Sequence, residues 1–161
     1  MVKSTIKYTV QRPTAYLLSL PLFLTIMMSE VAAQPHFPLV DVHVHTSPQN
    51  YPLLLDVLSA TGVTRFVNLS GGTPGRGLEK AIAGAEPFPG RILVCANLEW
   101  RKVGQPGFGR SQAKMLQLAY QMGARCLKIS KALGLSIPSP AVGGGLLRVD
   151  AAILDPVWHA A

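Results

Sequence analysis

Two histidines one residue apart in a β-branched run are the side chains of this chain best placed to do chemistry. From Val40 to His45 the sequence reads Val-Asp-Val-His-Val-His. Strand side chains alternate between faces, so Asp41, His43 and His45 share one face while Val40, Val42 and Val44 share the other and supply a buried side. Two neutral imidazoles one strand repeat apart can reach a single divalent ion, at about 2.0–2.1 Å each for zinc, and a nearby carboxylate such as Asp41 can orient a ring by accepting its free N–H. Thr46, Ser47 and Pro48 end the strand where such a site would open. The bland alternative is a strand that carries two histidines with no common ligand.

The elements around this strand must hold it. Tyr51 to Thr61 places Leu54, Leu55 and Leu58 at helical spacing and stops at Gly62. Val63 to Leu69 reads as a second strand, followed by a helix from about Gly77 to Ala85. Arg91 to Leu98 is a third strand, and Ser111 is expected to cap a helix with the stripe Met115, Leu118, Ala119 and Met122, ending at Gly123. Cys126 to Ser130 is a fourth strand, and Leu154 to Trp158 opens a fourth helix with Pro156 in its first turn. Strands alternating with helices four times predict βαβ units and a parallel sheet, either doubly wound or part of a (βα)₈ barrel. Chemistry on such sheets sits at the carboxyl ends of the strands. His43 and His45, Asn68 and Ser70, Asn97 and Glu99, and Lys128 and Ser130 all fall near those ends, and the histidines and Lys128 carry most weight.

Composition limits the partners. The chain has 161 residues, 48% hydrophobic and 14% charged, with a net charge of +7. Its basic residues are scattered, with no Lys/Arg run interleaved with aromatics, so the charge reads as a solvated surface and nucleic-acid binding is not expected. Residues 1–33 have the form of an export signal: Lys3, Lys7 and Arg12, then an apolar stretch from Ala15 to Met28, then Val31-Ala32-Ala33. Cleavage after Ala33 is expected, leaving 34–161 as one domain in a periplasmic or extracellular compartment without a stable membrane anchor. Only Cys95 and Cys126 are present, which excludes a disulfide framework. Both lie in apolar runs and are read as buried free thiols, with a bridge between the third and fourth strands as the alternative. Gly72 to Gly77 has the glycine spacing of a P-loop, but Leu78 stands where the lysine belongs, so it reads as a turn. Ile137 to Gly145 reads as a long loop over the mouth of the sheet, suited to substrate contact or to disorder.

Taken together, Asp41-Val42-His43-Val44-His45, Val67-Asn68-Leu69-Ser70-Gly71-Gly72, Ala96-Asn97-Leu98-Glu99-Trp100, Gly123 to Lys131 and Leu154 to Trp158 resemble the amidohydrolase-related metal-dependent hydrolases. Within that family they are similar to the branch of amidohydrolase-2 hydrolases and decarboxylases. The likeness runs from about Leu39 to the last residue. It implies the N-terminal half of a (βα)₈ barrel whose first-strand histidines, His43 and His45, bind a divalent metal, usually zinc, at the carboxyl mouth. It also implies a small-molecule substrate. In some members a carboxylated lysine on the fourth strand bridges two metals. Leu127 and Ile129 form the apolar face of that strand here, so Lys128 points inward and is the candidate catalytic residue, its bland alternative being a pairing with Glu99. Lys131 lies nearer the loop.

The family places further ligands on later strands, and the chain ends at Ala161. His159, on a helix, and His36, before the first strand, cannot replace them. Two histidines fall short of the three protein ligands usual for catalytic zinc. The sequence therefore predicts an incomplete barrel of low or absent activity as this chain, closed by a missing C-terminal half or by homo-oligomerisation. Two other classes stay open. One is a PHP-type phosphoesterase, against which Asn68-Leu69-Ser70 stands in place of an Asp-His pair. The other is a non-catalytic metal-binding or interaction fragment.

Overall fold

A computed structural model describes residues 37–141 and 143–161. The expected export signal and His36 lie outside the described residues. Among those described, no helix is long and apolar enough to cross a membrane.

Four strands form one sheet: β1 (Leu39–Val44), β2 (Val63–Asn68), β3 (Ile92–Ala96) and β4 (Cys126–Leu127). All neighbouring pairs are parallel and the spatial order is β1-β2-β3-β4. This order resolves the choice between the two expected architectures. A doubly wound sheet reverses its strand order at a switch point, whereas successive right-handed crossovers in one direction put every helix on the same side. The sheet curls accordingly into part of a barrel wall, with a helical outer layer.

The helices are α1 (Tyr51–Ser59), α2 (Leu78–Ala85), α3 (Phe108–Met122) and α4 (Asp155–Ala160). The main core fills the space between them and the outer sheet face. Val44, Phe66, Val94, Ala96 and Leu98 meet Tyr51, Leu55, Leu78, Ala81, Leu116 and Val157 there, with Leu127 and Ile129 packed at its margin. Tyr51 and Phe66 stack edge to face at 5.6 Å between ring centroids. A smaller cluster joins Phe108, Ile137, Leu147 and Leu154.

Several expectations are corrected. Of the three β1 valines only Val44 is buried; Val40 and Val42 are 43% and 67% exposed on an edge strand. The helix expected to be capped by Ser111 starts four residues earlier, where Gly107 at φ 74° turns the chain, and the Ser111 hydroxyl donates back to the Phe108 carbonyl. β4 has two residues rather than five, although the Lys128 N–H still donates to the Ala96 carbonyl at 2.8 Å. The cysteines are not free thiols. Cys95 and Cys126 are register partners on adjacent strands and form a disulfide. The long loop is pinned rather than draped over the mouth: the Leu147 N–H donates to the Ile137 carbonyl at 2.7 Å, and both side chains are buried against Phe108 and Leu154.

Candidate metal site

The carboxyl ends of the four strands open onto a cavity of about 620 Å³. His43, His45, Ser70, Asn97, Lys128 and Lys131 line it, so the three side chains singled out from sequence do come together. The sheet explains this. Two strands separate β1 from β4, and the curl brings their inward faces round one hollow.

The two imidazoles lie with ring centroids 5.2 Å apart and planes inclined at 64°. Two imidazoles sharing one tetrahedral ion at about 2.0–2.1 Å per nitrogen hold their centroids roughly 5 Å apart. The pair therefore has the spacing a common ion requires. His45 Nδ1 is 2.8 Å from Ser70 Oγ, which fixes that ring and leaves Nε2 as its free nitrogen. Ser70 thus does what was expected of Asp41. The Asp41 carboxylate instead accepts the His43 backbone N–H at 3.0 Å. It is spent on its own strand, which is irregular between Asp41 and Val44.

Ser70 is held in turn by Asn68. The Asn68 side chain is fully buried on the outer face, where its Oδ1 accepts the Ser70 N–H at 3.0 Å. Its Nδ2 donates to the Tyr51 hydroxyl at 2.7 Å and to the Thr46 carbonyl at 3.1 Å. Burial pushes the Tyr51 phenol above its ordinary pKa, and the hydrogen bond from Asn68 offsets part of that shift. One buried amide therefore ties together the chain just after His45, the serine that braces His45, and the first helix. Asn97 acts similarly one strand on: its Oδ1 accepts the Gly72 N–H at 2.9 Å and its Nδ2 donates to the Leu69 carbonyl at 3.2 Å. Both amides brace the mouth of the sheet.

Lys128 is half-buried and forms no ion pair among the described residues. The pairing with Glu99 does not occur, because Glu99 pairs with Lys102 and faces a neighbouring cavity. Lys131 is exposed yet lines the same hollow as the histidines. His159 stays on α4, exposed, with Nδ1 against the Asp155 carbonyl at 2.7 Å.

No group of three or more His, Cys, Asp or Glu side chains able to hold a metal occurs among the described residues. The histidine pair has a ring spacing compatible with a shared ion. No carboxylate lines its cavity, and two lysines do.

Comparison with known proteins places no relative beside the chain: no family model, no curated protein and no solved structure matches it.

Proposed function

We propose that this chain is a metal-dependent hydrolase of the amidohydrolase-related type, or a related carboxy-lyase, acting on a small molecule outside the cytoplasm. The observation that carries the reading is the pair His43 and His45 at a shared-ion spacing, with His45 braced by Ser70 and Lys128 facing the same cavity. His43 and His45 are the residues that would hold the ion. Bound there, a divalent metal supplies Lewis acidity toward a carbonyl and makes water more acidic.

The chain's own residues do the rest. Ser70 keeps the His45 tautomer and ring direction constant. Lys128, with no acidic partner, is available to hold a proton or, once carboxylated, to add an anionic ligand where the cavity otherwise has none. Lys131, at the rim, offers a cation to an incoming anionic group. Asn68 and Asn97 act as positioning residues through Ser70 and Gly72.

The test is activity of the zinc-supplemented full chain, with bicarbonate, on amides, lactones and β-keto acids, with phosphoesters in parallel. Turnover of a carbonyl substrate that is lost in His43→Ala supports the reading. Turnover of phosphoesters alone would assign the chain to a phosphoesterase, and carbonyl turnover that survives His43→Ala would refute the histidine site.

A further inference from the structure

We infer that a second cavity, of about 400 Å³ between the β2–α2 loop and the end of β3, is a binding site for an organic carboxylate with an aromatic or apolar body. Gly72 and Asn97 line both this hollow and the histidine cavity, so the two adjoin across one wall, but neither histidine belongs to this one.

The loop that forms one side is built to present a cation. In Gly72-Thr73-Pro74-Gly75-Arg76-Gly77 the glycines at 72, 75 and 77 all have φ between 77° and 97°, a region closed to most side chains. Thr73 and Arg76 exchange backbone hydrogen bonds, at 3.2 Å from the Thr73 N–H and 2.8 Å from the Arg76 N–H, and so close a tight turn. Arg76 lines the cavity, and its guanidinium makes no ion pair or hydrogen bond among the described residues. The lysine of a P-loop is missing from this stretch, but its cationic role is open to Arg76, whose planar fork suits a carboxylate.

Thr73 lines the same cavity, with its hydroxyl oxygen buried behind the cavity surface. Leu98 and Trp100 also line it and give apolar surface for a hydrophobic body.

The charge balance favours an anion: Glu99 is engaged by Lys102, which leaves Arg76 and Arg101 as cations without an ion pair among the described residues. The volume also exceeds what a small inorganic ion fills and falls in the range of small-molecule sites.

The test reads Trp100 fluorescence in the full chain carrying Trp158→Phe, which leaves Trp100 as the sole tryptophan. A chelator is present throughout, so the outcome is separate from that of the histidine site. Benzoate should give a saturable change at millimolar concentrations or below. Benzamide, the neutral analogue, and inorganic phosphate should bind at least about tenfold more weakly, and Arg76→Ala should weaken benzoate by about tenfold, the loss of one charge-assisted contact. Arg76→Lys, which keeps the charge but not the fork, should fall between, with unchanged circular dichroism in both variants. No saturable response to benzoate, equal affinity for benzamide or phosphate, or undiminished binding by a folded Arg76→Ala would each overturn the assignment.

Discussion

Removing the Asn68 side chain should damage this protein far more than removing the hydroxyl it contacts. Asn68→Ala deletes three hydrogen bonds at once: to the Tyr51 hydroxyl, the Thr46 carbonyl and the Ser70 N–H. Each such bond contributes about 1 kcal/mol net, and a buried group left without a partner costs a further 1–3 kcal/mol, so a loss of about 4 kcal/mol follows. Tyr51→Phe deletes only one of the three and leaves Asn68 Nδ2 its Thr46 partner, which predicts a loss of about 1 kcal/mol. Urea unfolding followed by circular dichroism separates the two. With an m-value of about 1.5 kcal/mol/M, the midpoint should fall by roughly 2.5 M for Asn68→Ala and by less than about 1 M for Tyr51→Phe. If Asn68→Ala costs no more than Tyr51→Phe, the amide is not the tie between the first helix and the mouth of the sheet.

Other outcomes follow from the same contacts. Ser70→Ala removes the group that orients His45 and should weaken zinc binding by about 10- to 100-fold in a competition titration, with little change in stability; undiminished affinity would return Ser70 to a surface role. Replacing both Cys95 and Cys126 with alanine opens a cross-link between residues 31 apart and should lower unfolding stability by about 3–4 kcal/mol in the same urea assay, whereas an unchanged midpoint would contradict the bridge. The Tyr51 phenol, raised by burial in the folded state, ionises first in the unfolded chain at about pH 10. Stability contributed there is therefore complete below pH 10 and is lost as pH rises from 10 through the folded value, so a pH series of melts should fall more steeply for the parent chain than for Tyr51→Phe.

The alternation of strands and helices was legible because each element carries its own period, and the inward direction of Lys128 followed from Leu127 and Ile129 beside it. What depended on strand register was not. Ser70 braces His45 from 25 residues away, and only the parallel pairing that sets Val44 opposite Asn68 reveals that it can. The cysteine bridge has the same origin, since Cys95 and Cys126 meet only because β3 and β4 align those two residues. Sequential strand order likewise belongs to the sheet as a whole, so the alternation alone allows a barrel wall or a doubly wound sheet, and only the family resemblance favours the barrel. The exposure of Val42 could not be read from its alternation either, because alternation marks a face without saying what covers it. Asn68 carried a weak signal, a polar residue in a strand whose neighbour Phe66 is buried on the same face.

Metal analysis of the purified full chain after zinc loading and gel filtration decides whether His43 and His45 form a shared metal site. Zinc is expected in stoichiometric amount in the parent chain and lost in the His43→Ala/His45→Ala double variant, with the fold retained by circular dichroism. Zinc retained by a folded double variant, or a parent chain that binds none, would contradict it.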